Sequence, residues 1–430
     1  MPQRIGVLIV AENASMLQGG ESRLALQWFL ELLKVGVDVH LLVHARSKPE
    51  LDHSMSRLAS RIHYVSDGLL QKFCWSVGEA LPAHVRSFTS DWLIHLVTQF
   101  MQRRKIPQLI EQFEIHIVHE PAPVAPRLPS MMYGLGVPVV IGPMNGNMTY
   151  PPGFHSRSLL ERAFVPVARS FGDLANYLIP GKRRADVLLV ANERTRFALP
   201  SGCTGKVGIL CENGVELEVW RRPDDLPARP VDGLRLVFLG RLLPWKGIDI
   251  VLDVFAEVKN QAPSAELWII GEGPERSRLQ RQAVALGLSS AVTFHGWAAP
   301  EECPRLLSQC DVFLYPSLFD CGGAVVLEAM SLGLTVVALN WGGPGEYLAT
   351  GGGVLVEPVS RQQVVEELAK AVQCLTASKR RDLGEAAQRK IADQYTWSAK
   401  VQQIVEIYQS ALKSAGTAAG AVSPAEEYLR

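Results

Sequence analysis

The sequence predicts an α/β protein built as two parallel-sheet units, and three features lead to that prediction. Short apolar runs alternate with amphipathic stretches of helical period along most of the chain. A Pro- and Asp-rich stretch, RRPDDLPARPVDG at 221–233, has linker composition and separates two such series. The length of 430 residues leaves room for two domains at about 100–200 residues each. The expected division is a first domain over 1–222, a second over 223–394, and a terminal helix and tail over 395–430.

Composition narrows the function classes. Hydrophobic residues at 47% and charged residues at 20% describe an ordered globular chain. With 43 basic and 43 acidic residues the net charge is zero, so no global electrostatic case exists for a nucleic-acid partner. The 7 cysteines, Cys74, Cys203, Cys211, Cys303, Cys310, Cys321 and Cys374, are odd in number, scattered and without a CxxC pair. That pattern predicts reduced thiols in the cytoplasm, with neither a disulfide framework nor a zinc site. The apolar run from Ile5 to Ala11 is too short for a secretory segment, and no run reaches the roughly 18 apolar residues of a spanning helix. A soluble or peripheral protein is expected.

The first half opens with a buried strand over Arg4–Ala11, a loop ending in Gln18-Gly19-Gly20-Glu21, a helix over Ser22–Lys34 and a strand over Val37–Val43. Strand, helix, strand is the start of an open parallel sheet, which binds ligands at the carboxyl ends of its strands. Gly19 and Gly20 can present bare amides to a phosphate there, or simply turn the chain. The GxGxxG dinucleotide fingerprint is absent, which disfavours a nicotinamide-dependent enzyme. Between Leu58 and Phe113 lie Phe73, Trp75, Phe88, Trp92, Phe100 and the bases Arg103, Arg104 and Lys105. These predict helix packing with a solvated edge, ahead of an acceptor-side or membrane-touching surface. Ile115–His119 reads as a strand delivering His119-Glu120-Pro121 to the top of the sheet, and Pro138–Gly142 as another. The latter leads into GPMNGNMTYPPGF, an irregular loop suited to holding an acceptor. Lys182-Arg183-Arg184, ahead of the strand Val187–Ala191, reads as a solvated helix end, ahead of a contact for an anionic acceptor.

In the second half, the strand Leu234–Leu239 leads into Gly240-Arg241-Leu242-Leu243-Pro244-Trp245-Lys246-Gly247 and the helix Ile248–Lys259. Arg241 and Lys246 on one loop above a strand end can grip a diphosphate, Arg bidentately and Lys as a point charge. The theme recurs at Glu266–Ile270 with Gly271-Glu272-Gly273-Pro274, and at Val292–Phe294 with His295-Gly296-Trp297. Then comes YPSLFDCGGAVVLEAMSLGL, 315–334: a strand end, Asp320, the pair Gly322-Gly323, and a helix whose first turn is expected to carry Glu328. A carboxylate there is stabilised by the helix dipole and accepts hydrogen bonds, for instance from paired hydroxyls. The strand Thr335–Leu339, a loop WGGPGE, the strand Gly353–Val356 and an amphipathic helix over Trp397–Lys413 complete the pattern, with partial disorder expected over 414–430.

An acid, seven residues, Glu328, then Ala329-Met330 and a Gly resembles the donor-site signature of family 4 retaining glycosyltransferases, and the ordered motifs extend the resemblance over nearly the whole chain. The resemblance implies a GT-B fold, two Rossmann-like domains with parallel sheets facing across a cleft, the second holding a nucleotide-sugar donor and the last helix crossing back to the first. By resemblance, Gly19 and Gly20 meet the donor phosphate and His119 contacts the donor sugar. Arg241 and Lys246 bind the diphosphate, Glu328 binds the ribose hydroxyls, and Asp320 faces the transferred sugar beside Gly322 and Gly323. Gly271 joins the donor-binding set. The family transfers sugars with retention by a front-face route that needs no protein nucleophile.

No Asp-x-Asp motif occurs, so metal-independent transfer is expected, with no cofactor besides a donor of the UDP, GDP or ADP type. The acceptor would be a glycan, a lipid-linked glycan or a small molecule, as in polysaccharide biosynthesis, with peripheral contact at the inner membrane face if it is lipid-linked. Asp320 departs from the family's Glu by one methylene, which bears on sugar identity and activity. The alternative is a degenerate GT-B nucleotide-binding or scaffold protein without transferase activity.

Overall fold

A computed structural model describes residues 5–17, 20–68, 90–154, 172–226 and 233–420. Gly19, Phe73, Cys74, Trp75 and Phe88 lie outside the described residues. The chain divides into two compact units: 1–147, 160–212 and 400–430 form the first, and 148–159 and 213–399 the second. The stretch 213–222 thus belongs with the second unit, and the terminal helix passes to the first at Lys400.

The first unit contains a seven-stranded sheet of β1 (Gly6–Val10), β2 (Asp38–His44), β3 (Ile62–Val65), β4 (Ile117–Glu120), β5 (Val139–Met144), β6 (Val187–Val190) and β7 (Lys206–Ile209). Its order is β3-β2-β1-β4-β5-β6-β7, and every pairing is parallel. A parallel sheet covered on both faces needs strands that are apolar throughout, and GVLIV of β1 is buried at all five positions. The two outermost strands, β3 and β7, are short and partly polar, so no apolar run marks them in the sequence.

The second unit contains a six-stranded parallel sheet of β8 (Arg235–Leu239), β9 (Glu266–Ile270), β10 (Val292–Gly296), β11 (Val312–Tyr315), β12 (Thr335–Leu339) and β13 (Gly353–Val356), in the order β10-β9-β8-β11-β12-β13. The helix Ile248–Gln261 buries Ile248, Val251, Leu252, Phe255 and Val258. In both sheets the order reverses beside the first strand, at β1/β4 and at β8/β11. Helices leave opposite faces of the sheet on the two sides of such a point, so a crevice opens above the strand ends.

Three sequence expectations change here. WGGPGE is not a loop: Gly342–Leu348 is helical. The helix at the carboxyl end runs over Trp397–Gly420, beyond Lys413 into the stretch expected to be disordered. Lys182 is no solvated helix end; it is 1% exposed and donates to the Ala125 carbonyl at 2.6 Å. Burial lowers its pKa to about 8, against the opposing pull of Glu120 and Glu21.

Candidate functional site

The switch point of the second sheet places two loops side by side, 240–247 after β8 and 316–323 after β11. Their backbones touch: Leu318 N–H donates to the Trp245 carbonyl at 2.8 Å. Gly247 makes that approach feasible. Its φ is 72°, and a Cβ there would lie 2.3 Å from the Pro316 carbonyl oxygen. Gly271 serves the same loop from its other side, since a Cβ on it would meet the Gly240 carbonyl oxygen at 2.0 Å. Gly271 therefore acts here by packing against the loop that carries Arg241 and Lys246.

On this scaffold Lys246 and Asp320 meet. The Lys246 ammonium lies 2.5 Å from Asp320 Oδ2 and donates to the Tyr315 hydroxyl at 2.6 Å, while that hydroxyl donates to the same Oδ2 at 2.6 Å. Lys246 and Asp320 side chains are each 15% exposed, so the pair is shielded yet reachable. Burial foremost, then the Asp320 charge and its hydrogen bond, holds the Tyr315 phenol well above its ordinary pKa of 10. The phenol therefore stays protonated and acts as a donor. From sequence alone Tyr315 is only a strand end. The available signal was a hydroxyl in an otherwise apolar buried strand, which must find a partner.

Arg241 shares the loop with Lys246 and is exposed, and its guanidinium makes no hydrogen bond or ion pair among the described residues. Gly322 and Gly323 follow Asp320; Gly323, at φ 65°, precedes the helix Ala324–Ser331, and a Cβ on it would sit 3.4 Å from Asp320 Oδ2. Glu328 is half-buried on that helix, and its charge reaches the Tyr315 phenol. It is not in the first turn. The glycine pair delays the helix to Ala324, leaving Glu328 fifth, past the turn where the helix dipole is felt most.

The irregular loop after β5 divides at Asn147, and its continuation belongs to the second unit. There the Trp341 indole donates to the Thr149 carbonyl at 2.8 Å, and the Tyr150 and Phe319 rings lie 5.1 Å apart, next to Asp320 in sequence.

In the first unit, Gly20 has φ 71° and starts the helix Glu21–Lys34, with nothing among the described residues within 4 Å of where its Cβ would stand. His119 is fully buried. Its Nε2 lies 2.6 Å from the Gly142 carbonyl, which can only accept, so Nε2 carries the proton and Nδ1 accepts from the Tyr408 hydroxyl at 2.6 Å. Burial drives its pKa down to about 4. The neighbouring Glu120 is also buried, takes a hydrogen bond from Ser130 Oγ at 2.5 Å, and has its pKa raised by burial. As folded, His119 and Glu120 are engaged with the protein interior.

Among the described residues, no group of three or more His, Cys, Asp or Glu side chains is arranged to hold a metal, and no helix is long and apolar enough to cross a membrane. The six described cysteines, Cys203, Cys211, Cys303, Cys310, Cys321 and Cys374, are free thiols.

Comparison with known proteins places this architecture. Over 222 residues the chain is 30% identical to a D-inositol 3-phosphate glycosyltransferase of Segniliparus rotundus, covering 49% of this chain and 47% of that protein. It is 30% identical over 241 residues to a GDP-mannose-dependent alpha-(1-6)-phosphatidylinositol monomannoside mannosyltransferase of Mycolicibacterium smegmatis, covering 52% of this chain and 62% of the relative. The matched stretch thus spans about half to three-fifths of these relatives. The fold is similar to that of Anabaena Alr3699/HepE, solved in complex with UDP: TM-score 0.63, 17% identity, 94% of this chain and 100% of that one. With its two parallel sheets, the chain has the GT-B-like architecture. Residues 227–390 of the chain match the family model described as Glycosyl transferases group 1.

Proposed function

We propose that this chain is a retaining glycosyltransferase that moves a sugar from a nucleotide-sugar donor to a glycan, lipid-linked or small-molecule acceptor without a metal. The observation that carries the reading is the convergence of Lys246 and Asp320 at the switch point of the second sheet, with Arg241 exposed on the same loop. Transfer leaves negative charge on the departing diphosphate. A guanidinium and an ammonium held on one braced loop are suited to stabilising that charge as it grows. Glu328 is assigned to the ribose hydroxyls and Asp320 to the transferred sugar. His119, with both ring nitrogens engaged, is assigned a positioning role beneath the strand ends, in place of direct contact with sugar.

The relatives support the donor class: one is GDP-mannose-dependent, and the structure of another was solved with UDP. A degenerate binding protein on the same fold would keep nucleotide affinity and lose turnover. A calorimetric screen of UDP, GDP and ADP, repeated on Arg241→Ala, tests the diphosphate assignment. Binding of one nucleotide that weakens at least tenfold in the variant is expected, and unchanged binding removes that role from Arg241. Nucleotide release from a panel of nucleotide sugars then separates transferase from scaffold.

A further inference from the structure

The Lys246–Asp320 contact poses a physical problem for the reading above, on which this inference rests. An ammonium reserved for a diphosphate is held at 2.5 Å by a carboxylate, and both side chains are largely shielded from water. Releasing Lys246 would strand a poorly solvated carboxylate, which is costly unless another donor stays with it. Tyr315 is that donor. Its hydroxyl shares Oδ2 with Lys246, and Lys246 and Tyr315 are the side-chain donors to Asp320 among the described residues.

The phenol is also held in place. Tyr315 is 1% exposed, and its ring stacks between Phe238 of β8 at 5.6 Å and Phe313 of β11 at 5.5 Å, each at an interplanar angle of 16°. The two aromatic neighbours come from the strands that flank the switch point, so the hydroxyl height is set by the sheet and not by a loop. Lys246 sits at the end of a flexible stem and passes over the same ring at 5.3 Å. One partner of Asp320 is held by ring packing, and the other is held only through its ammonium contacts.

We propose that Tyr315 is a positioning residue that retains the Asp320 carboxylate while Lys246 is handed over to the donor diphosphate, so that the ion pair opens when a nucleotide arrives. Without the hydroxyl, Asp320 and Lys246 hold each other alone and the ammonium is withheld from the ligand. Because a free nucleoside diphosphate lacks the sugar to be transferred, its affinity reports on Lys246 release and not on any contact of Asp320 with that sugar.

The test is calorimetric titration with whichever of UDP, GDP and ADP binds most tightly. It compares the wild type, Tyr315→Phe, Asp320→Asn and the double variant, with far-UV circular dichroism on each. Tyr315→Phe is expected to weaken binding about tenfold. Asp320→Asn, which removes the competing charge, is expected to bind at least as tightly as wild type. In the Asp320→Asn background, Tyr315→Phe should change affinity by less than about twofold, since nothing is left for the hydroxyl to retain. A general packing role for the ring would instead carry the same loss into both backgrounds, and that result overturns the inference. So does equal binding by wild type and Tyr315→Phe, or weaker binding by Asp320→Asn alone, which stands as a test even if Tyr315→Phe does not fold. A wild type that binds none of the three nucleotides overturns the transferase reading itself, and this inference with it.

Discussion

Lys246 and His119 show how differently two polar side chains at strand ends can be used. Lys246 is held by two oxygen partners on a loop edge, while His119 is buried with each ring nitrogen engaged by the protein. Replacing Lys246→Ala removes a charge from the leaving-group side of the proposed reaction, and kcat/KM should fall about 10²- to 10³-fold with the fold intact. Steady-state kinetics checks this, and a loss under tenfold would deny Lys246 that role. His119 has an acid-linked consequence. Its pKa in the folded chain is about 4 against an ordinary 6.5, so the native state favours the neutral ring. The stability this confers is fully present above about pH 6.5 and is lost as pH falls towards 4, roughly 3 kcal/mol in all. His119→Gln should therefore flatten the dependence of Tm on pH between 6.5 and 4. An unchanged slope would mean that the ring does not titrate in that window. At this scale the sequence disclosed residue types and not their engagement. The positions of Lys246 and Asp320 on the loops after β8 and β11 were legible from the strand pattern, but their contact with each other was not, since they lie 74 positions apart. The engagement of His119 was hidden for the same reason, since its partner Tyr408 lies 289 positions away.

Glycines govern the elements that carry the site. Gly247 joins a left-handed φ of 72° to a close backbone approach, while Gly287 has a similar φ of 71° with open space where a side chain would stand. Alanine at Gly287 costs only the left-handed conformation, roughly 1–2 kcal/mol. Alanine at Gly247 adds a collision with the Pro316 carbonyl and should push the two loops apart. Gly247→Ala is therefore expected to lower Tm by several degrees more than Gly287→Ala and to weaken nucleotide binding, whereas Gly287→Ala should leave affinity unchanged. Thermal melts with titrations on the pair decide it, and equal effects would show that loop contact is not needed. Most elements were visible beforehand because buried parallel strands are apolar throughout: Glu266–Ile270, Thr335–Leu339 and Gly353–Val356 fall where their composition puts them. The short outer strands β3 and β7 lack that signal. GGPGEYL reads as a turn by composition, yet Gly342–Leu348 is helical; Pro344 falls in its first turn, where a missing N–H costs no intrahelical bond.

At the scale of the molecule, each unit is an open parallel sheet with a reversal in strand order, and the charged loops of the second unit rise at its reversal. The alternation of strand and helix made this architecture legible. The passage of Met148–Leu159 into the second unit was not, because it depends on long-range contacts such as Trp341 to Thr149. The central claim is that Arg241 and Lys246 act on the diphosphate of a nucleotide sugar in place of a metal. The most direct measurement is nucleotide release from UDP-, GDP- and ADP-sugars in the presence of glycan acceptors, for wild type and Lys246→Ala, each with and without EDTA. The account predicts release from one donor class, unaffected by EDTA and reduced at least a hundredfold in the variant. No release from any donor, release abolished by EDTA, or release undiminished in Lys246→Ala would contradict it.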